Sequence, residues 1–397
     1  MTTIVIEGWR FLPHSYSLWA MYLALELSER AGVTVYFRDA PMADAKWRPT
    51  RGVLLEEQEA IVAAIPGPPD DLRADVAARI VFPYDFGPSN AAKTFVFGTA
   101  EYGVVPNSFV AGQEPIAAAA KRTGYTVVTC SKWSKDGFLR SGVKASQMAH
   151  VICAIDPAVF TPPTDEQRRE ARAALGLTDE FVLLHSSSLG WNKNVEMMLD
   201  AMLALEAEMP RLRLVLKGMD ALYGSGDVIE RVRAQAPPEV KDRLMARVGY
   251  IGASMGPRAI AGLYHAADAY VCPYLAEGFN MPALEAAACG VPVLATAGGS
   301  ADDFMHPDFC LKIASKVQVH QQSGGKYLQP NFENYVAQIR RVVRDDAYRA
   351  RARVAGPAFA RNGWTWSHAA EQLLAAAGIS VGRHEAGGRH ERAGGDH

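Results

Sequence analysis

Short apolar runs alternate with longer amphipathic stretches along the first part of the chain. Apolar residues dominate positions 4–6, 33–37, 80–83, 94–97, 126–130 and 150–153, and a helical spacing of apolar side chains covers 17–30. A strand followed by a helix and a second strand is the order that builds a parallel sheet flanked by helices. The pattern therefore predicts an α/β, Rossmann-like doubly wound domain over residues 1–160.

A second alternating series follows a break at 156–166, where three prolines and several polar residues predict an exposed linker. The series has predicted strands at 181–185, 212–217, 247–250, 269–273 and 292–296, and predicted helices at 194–208 and 282–289. We expect a second doubly wound domain over 161–362. The length of 397 residues supports two domains, because a single hydrophobic core rarely grows beyond about 250–300 residues.

Helical patterns at 331–344, 346–359 and 365–377 bring the regular part of the chain to its end. Residues 379–397 are rich in Gly, Arg, His and Glu, which predicts a disordered tail whose histidines are solvated. The rest of the chain has the balance of a globular protein, with 49% hydrophobic and 21% charged residues.

The charge and cysteine content narrow the function classes. A formal charge of −2 gives no overall attraction to nucleic acid, so no nucleic-acid partner is expected. The five cysteines contain no Cys-x2-Cys pair, which predicts buried free thiols in a reducing compartment. The chain starts without a basic, apolar leader and has no run of about eighteen apolar residues. These features predict a cytoplasmic protein and are compatible with peripheral membrane contact.

The segment 264–299 carries the most informative chemistry. Glu277 follows the predicted strand 269–273, and Glu285 lies about one turn into the predicted helix 282–289. Open α/β sheets bind ligands at the carboxyl ends of their strands, where a helix N-terminus also attracts phosphate. Carboxylates there could bind the hydroxyl pairs of a donor sugar and of a ribose. Taken alone, the two glutamates are better explained as acidic residues favoured at a helix N-terminus.

The residues around this pair match a known pattern. After Pro273 the chain reads Glu-Gly-Phe-Asn-Met-Pro over 277–282, Glu-Ala at 285–286 and Gly-Val-Pro-Val at 290–293. This resembles the Glu-x7-Glu signature of the retaining glycosyltransferases of family 4, which have the GT-B fold of two Rossmann-like domains facing a central cleft. The resemblance implies a nucleotide-sugar donor site built from Glu277, Gly278, Phe279, Asn280, Met281 and Glu285. Asn280 departs from the family's usual glycine, which would adjust the shape of the sugar pocket.

The resemblance extends to 185–195, where the family has an Arg-x4-Lys pair that contacts the donor diphosphate. Lys193 matches the lysine, whereas Ser188 occupies the arginine position. We expect Lys217, at the end of the predicted strand 212–217, to supply the missing positive charge, and we include Ser188 among the donor-binding residues. The competing interpretation of Lys193 is an exposed lysine at the start of a helix.

The family also implies roles for residues of the first domain. His14 and Ser15 lie in the loop after the first strand and are candidates for acceptor or phosphate contacts, and Glu101 is a candidate for an acceptor hydroxyl. A loop histidine without a role and a structural salt bridge of Glu101 explain these residues equally well. The same loop lacks a Gly-x-Gly-x-x-Gly fingerprint, which disfavours a nicotinamide dehydrogenase. The resemblance further implies that the last helix, about 365–378, packs back on the N-terminal, acceptor-side domain, with Trp364 and Trp366 as packing residues.

The sequence shows no grouping of His, Cys, Asp and Glu with metal-ligand spacing. The resulting prediction is a metal-independent glycosyltransferase without a cofactor. It would move a sugar from a nucleotide-diphosphate donor to a hydroxyl of a saccharide or other acceptor with retention of anomeric configuration. Its candidate catalytic residues are Glu277, Lys193 and Glu101. The alternatives are a noncatalytic nucleotide-sugar binding protein and a GT-B nucleotide-sugar epimerase.

Overall fold

The structure is a computed structural model that describes residues 1–235, 237–380 and 382. The predicted disordered tail at 379–397 lies outside the described residues, apart from 379, 380 and 382. Within the described ranges, no helix has both the length and the apolar character that crossing a bilayer requires.

The first half of the chain forms a six-stranded parallel sheet. Its strands are β1 (Thr2–Gly8), β2 (Val33–Asp39), β3 (Val76–Ile80), β4 (Lys93–Phe97), β5 (Thr126–Thr129) and β6 (Met148–His150). Its helices are α1 (Ser15–Ser28), α2 (Glu56–Ala64), α3 (Ile116–Thr123) and α4 (Lys132–Arg140). The strand order is β2-β1-β3-β4-β5-β6, so the sheet extends in opposite directions from β1 and β3.

The prediction for β3 was wrong. The sequence pattern placed this strand at 80–83, whereas it spans Val76–Ile80. Arg79 interrupts the apolar pattern of this strand. It is only 3% exposed, and its guanidinium pairs with the carboxylate of Glu7 on the neighbouring strand. A buried ion pair of this kind interrupts the apolar pattern without interrupting the strand.

The second half forms another six-stranded parallel sheet. Its strands are β7 (Phe181–Ser186), β8 (Leu212–Lys217), β9 (Val248–Ile251), β10 (Ala269–Cys272), β11 (Val293–Thr296) and β12 (Cys310–Ile313), and an antiparallel hairpin follows, formed by β13 (Ser315–Val319) and β14 (Lys326–Pro330). The sheet order is β12-β11-β10-β7-β8-β9. The chain therefore reverses its direction of winding between β7 and β10, which is where open α/β sheets form their ligand crevice.

Ten helices of the described chain accompany this half. They are α5 (Asp165–Ala174), α6 (Val195–Ala204), α7 (Asp220–Tyr223), α8 (Ser225–Gln235), α9 (Pro238–Met245), α10 (Pro257–Ala266), α11 (Met281–Ala288), α12 (Phe332–Arg344), α13 (Asp346–Arg361) and α14 (Trp366–Ala377). Several boundaries differ from the predictions, and strand β6 spans Met148–His150 rather than the predicted 150–153. Helix α6 ends at Ala204 rather than at 208, and α5 begins inside the predicted linker because Thr164 and Gln167 form a capping box at its start.

The final helix, α14, lies against the first sheet and α1. The rings of Tyr22 and Trp366 stack with centroids 5.0 Å apart, and Nζ of Lys93 donates to the carbonyl of Ala377 at 2.6 Å. Trp364 packs against Phe279, with ring centroids 5.8 Å apart. The prediction that these tryptophans are packing residues is confirmed. All five cysteines are buried and free, as predicted.

Candidate active-site cleft

A cleft of about 600 Å³ lies between the carboxyl edges of the two sheets. Its walls are the loops that follow the strands and the adjoining helix starts, which is where parallel sheets place their ligands. Every site residue predicted from the sequence lines it: His14, Ser15, Glu101, Ser188, Lys193, Lys217, Glu277, Gly278, Phe279, Asn280, Met281 and Glu285. His14 and Glu285, which are 271 positions apart in the chain, thus meet in one cavity.

An ion pair lies at the reversal point of the second sheet. Lys193 ends the short 3-10 turn Trp191–Lys193 after β7, Glu277 follows the adjacent strand β10, and Nζ of Lys193 is 2.7 Å from Oε1 of Glu277. Both side chains are largely buried, with 11% and 13% of their surface exposed. The interpretation of Lys193 as an exposed lysine at a helix start was wrong.

A third charged group faces this pair from the first sheet. Glu101 follows β4, and its Oε2 lies 3.5 Å from the amide nitrogen of Asn192, which also donates to the carbonyl of Ala276 at 2.9 Å. Burial raises the pKa of Glu101, the positive charge of Lys193 opposes the shift, and the carboxylate of Glu277 adds to it. Burial alone would lower the pKa of Lys193, but Glu277 and Glu101 outweigh burial and raise it. Lys193 therefore stays charged between two carboxyl groups.

The loop after Glu277 contacts the first half of the chain closely. The carbonyl of Gly278 accepts hydrogen bonds from Oγ of Ser131 at 2.7 Å and from Oγ of Ser134 at 3.3 Å. A Cβ at Gly278 would lie 2.7 Å from Cβ of Thr99. Glycine is therefore required for this approach of the two walls.

Asn280 takes the left-handed conformation at the start of α11. Its φ is 81°, and its side-chain oxygen accepts from the backbone N–H of Ala283 at 3.3 Å, which caps the helix. Asparagine tolerates a positive φ better than most residues and is a favoured cap. This geometry explains why asparagine can stand where the resembled family usually has glycine.

Glu285 lies inside α11, on the floor of the cleft. Oε2 accepts a hydrogen bond from the hydroxyl of Tyr264 at 2.7 Å. Burial raises the pKa of Glu285 to about 7, and the hydrogen bond from Tyr264 only partly opposes that shift. A buried carboxyl group whose pKa is raised in this way is a candidate functional residue.

Lys217 lies beside the loop that contains Ser188. Residue Ser186 of β7 pairs with Lys217 of β8, and the backbone N–H of Ser187 donates to the carbonyl of Lys217 at 3.0 Å. Nζ of Lys217 donates to the carbonyl of Gly218, and burial lowers its pKa while Asp220 partly restores it. The backbone carbonyl of Ser188 accepts from Oγ of Ser225 at 2.8 Å. A second cation is thus one strand away from the position of the missing arginine.

His14 caps a helix on the opposite wall. Nδ1 accepts from the backbone N–H of Tyr16 at 3.1 Å, and the ring packs against Trp47 and, across the cleft, against Tyr223 at centroid distances of 5.1 and 6.2 Å. Burial lowers the pKa of His14 to about 4. The imidazole is therefore neutral at pH 7 and offers no permanent positive charge to a phosphate. Ser15 is the exposed first residue of α1.

The aromatic part of the cleft was not predicted from the sequence. Eight Phe, Tyr and Trp rings from the first half of the chain line it: Tyr16, Trp19, Tyr22, Phe82, Tyr84, Tyr102, Phe109 and Phe160. Three of them lie on α1, whose apolar spacing indicated only a core-facing helix. The usable signal was the concentration of Tyr and Trp, which carry polar atoms, within that apolar stretch.

A metal site requires several His, Cys, Asp or Glu side chains that lie close together. Among the residues that the structure describes, no three His, Cys, Asp or Glu side chains are grouped so that they could hold a metal ion.

Comparison with known proteins gives the family of the second half. Residues 167–358 match the family model of the glycosyl transferases group 1. This segment belongs to that family. It contains Lys193, Lys217, Glu277 and Glu285, so the charged side of the cleft lies within the group 1 segment.

Relatives of known name extend the match beyond this segment. A D-inositol 3-phosphate glycosyltransferase of Catenulispora acidiphila is 29% identical over 69% of this chain and 61% of its own length. Another from Stackebrandtia nassauensis is 31% identical over 58% of this chain and 48% of its own length. The chain therefore spans about half to three fifths of the length of these curated relatives.

Solved structures share the architecture over almost the whole chain. The structure of Anabaena HepE in complex with UDP-glucose has a TM-score of 0.67 at 16% identity and covers 95% of this chain and 99% of its own. Sucrose-phosphate synthase of Thermosynechococcus elongatus has a TM-score of 0.66 at 19% identity and covers 95% and 98%. The predicted GT-B architecture, with two Rossmann-like parallel sheets across a cleft, is confirmed.

Proposed function

We propose that this chain is a glycosyltransferase that moves a sugar from a nucleotide-diphosphate donor to an acceptor hydroxyl, with retention of configuration and without a metal ion. The observation that carries the proposal is the Lys193–Glu277 ion pair at the reversal point of the second sheet, inside the group 1 segment. The names of the relatives and the UDP-glucose complex of HepE support the same chemistry.

Different charged residues bind different parts of the donor. Lys193 and Lys217 bind the diphosphate, because both present an ammonium group at the carboxyl edge of the sheet. Glu277 accepts hydrogen bonds from the sugar hydroxyls and Glu285 from the ribose. Lys193 and Glu277 pair with each other, so each side chain is already oriented for the phosphate and hydroxyl groups of the donor, which would replace this contact.

The reaction breaks the bond between the anomeric carbon and the diphosphate oxygen and forms a bond from that carbon to the acceptor oxygen. The acceptor proton leaves to the departing phosphate or to water, and Glu101 holds the acceptor hydroxyl from the opposite wall. Negative charge grows on the leaving diphosphate. Lys193, Lys217 and the N-terminal amides of α11 stabilise that charge in a cleft from which the closed walls exclude water.

Thermal unfolding against a panel of nucleotide-diphosphate sugars, with EDTA present, tests the donor site first. A donor at 100 times its dissociation constant should stabilise the wild type by about 2.7 kcal/mol. The Lys193→Ala variant should lose most of this stabilisation. The matched control is Lys316→Ala, which removes an exposed lysine of β13 outside the cleft.

The other possible results distinguish a glycosyltransferase from a binding protein and from an epimerase. If no sugar nucleotide stabilises the protein with EDTA or with Mg²⁺, the donor-site proposal is wrong. Stabilisation without transfer to any acceptor indicates a binding protein, and conversion of the donor without an acceptor indicates an epimerase. Proton NMR of the first product decides retention from the coupling constant of the new anomeric proton.

A further inference from the structure

The first-sheet side of the cleft is an aromatic wall, formed by Tyr16, Trp19, Tyr22, Phe82, Tyr84 and Phe109. Trp19 is 1% exposed and meets Phe97 edge to face at a centroid distance of 4.9 Å, so its ring is fixed in place. Fixed rings stack on flat apolar faces of ligands at little entropic cost. The wall therefore offers a rigid apolar surface opposite the charged donor side.

The lysine side chains of the described cleft lining lie on the second-sheet side. Among the described residues that line the cleft, the lysines are Lys193 and Lys217, both at the ends of second-sheet elements, and no arginine lines it. The first-sheet side instead contributes two carboxyl groups, Glu101 and Asp156. His14 adds no charge at pH 7, because burial lowers its pKa to about 4. An anionic ligand on this side would meet carboxyl groups and, among the described residues, no cationic side chain.

The polar atoms of the wall are mostly satisfied, with one exception. The hydroxyl of Tyr84 donates to the carbonyl of Thr99 and accepts from the N–H of Thr99 at 3.1 Å. Asp156 accepts from Nε2 of Gln58 at 2.6 Å and from the N–H of Ala158 at 2.8 Å. The indole N–H of Trp19 is buried and has no hydrogen-bond partner within the described chain. Buried donors are normally paired, and Trp19 lines the cleft, so this N–H lacks the partner that a ligand oxygen would supply.

We infer that the acceptor is an uncharged hydroxyl compound with a flat apolar face, held by the aromatic wall and by the Trp19 N–H, and that acceptors carrying a phosphate are rejected. This inference rests on the proposed function, because it names the acceptor class of the same cleft. The reason is that the two lysines of the described cleft lining, Lys193 and Lys217, both bind the donor diphosphate in the proposed function. A phosphate on the acceptor would compete for Lys193 and Lys217 or remain unpaired beside Glu101 and Asp156.

The test uses two probes that differ by one phosphate group, phenyl β-glucopyranoside and its 6-phosphate. Their binding to the full chain is measured by titration calorimetry in the presence of the donor nucleotide diphosphate. We expect the neutral probe to bind about tenfold or more tightly than its phosphate, which corresponds to about 1.4 kcal/mol. Trp19→Phe keeps an aromatic ring and removes the N–H, so it should weaken the neutral probe about three- to tenfold.

A charge-introducing variant sharpens the result. Leu18 lines the cleft beside this wall and is only partly buried, so Leu18→Arg places a cation there. It should shift the preference toward the phosphate by about tenfold. Binding of the nucleotide-diphosphate sugar shows that each variant is folded. If the wild type binds the sugar nucleotide but prefers the phosphorylated probe, or binds neither probe, this inference is wrong while the proposed function stands. If no sugar nucleotide binds, the proposed function itself fails.

Discussion

The two walls of the cleft differ in chemistry and in how the chain builds them. The second-sheet wall presents Lys193, Lys217 and Glu277 at the carboxyl ends of three adjacent strands, and Lys193 and Glu277 each belong to a short, continuous motif. The first-sheet wall presents aromatic rings that come from a helix and from two separate loops. The second-sheet wall thus presents mainly charged groups, and the first-sheet wall presents mainly aromatic surface. The difference teaches that a site which stabilises a leaving group needs fixed charges, whereas a site that selects a neutral partner needs fixed surfaces.

The largest expected effect concerns the source of the second positive charge on the donor wall. Lys217→Met removes the ammonium beside the Ser188 loop and should lower kcat/KM of transfer by about 10² to 10³. Ser188→Arg in the same background restores a cation at the position where the resembled family has arginine, and it should recover part of that loss. Steady-state kinetics with saturating acceptor measure both.

The control for this prediction is Lys316→Met, an exposed lysine outside the cleft, which should leave the rate unchanged. If Lys217→Met transfers sugar at the wild-type rate, the donor wall has a single essential cation and the assignment of Lys217 is wrong.

The next effect is on stability. The pKa of Glu285 is raised from its usual 4.5 to about 7 in the folded chain, chiefly by burial. The folded state therefore holds the proton more tightly than the unfolded state. Its contribution to stability is fully present below about pH 4.5 and is lost as the pH rises to about 7, which amounts to about 3 kcal/mol.

Glu285→Gln keeps the acceptor for Tyr264 and removes the charge. We expect this variant to be more stable than the wild type by up to about 3 kcal/mol at pH 8 and nearly equal to it at pH 4.5. Urea unfolding across this pH range measures the difference. The exposed Glu333 at the start of α12 supplies the control variant Glu333→Gln, which should show no such trend. A Glu285→Gln variant that is less stable at pH 8 would show that the carboxylate is paired more strongly than the contact with Tyr264 indicates.

The contrast between the walls also explains what the sequence could predict. Glu277, Gly278 and Asn280 lie in one short motif, and their position after an apolar run was enough to place them at a sheet edge. Arg79 could not be read as part of a strand, because its partner Glu7 is 72 positions away. The aromatic wall was missed for the same reason: its rings become neighbours only when β1, β3 and β4 lie side by side.

The smallest effect tests the contact that joins the two walls. Gly278→Ala places a Cβ 2.7 Å from Cβ of Thr99, closer than carbon atoms normally approach. Overpacking of this kind costs about 1–3 kcal/mol, so the variant should unfold at a lower temperature or bind the donor in a more open cleft. Thr99→Gly removes the opposing atom, and the double variant should recover most of the loss, since neighbouring sites couple in a double-mutant cycle.

Gly262→Ala is the matched control, because a Cβ at this position in α10 would meet nothing within 4 Å. It should be neutral or stabilising by up to about 1 kcal/mol, as expected for alanine in place of glycine in a helix. If Gly278→Ala is equally harmless, then the loop after Glu277 does not press on Thr99 in solution. The hydrogen bonds from Ser131 and Ser134 to the Gly278 carbonyl would then belong to a closed state that the protein occupies only part of the time, and donor binding would have to supply the free energy of closure.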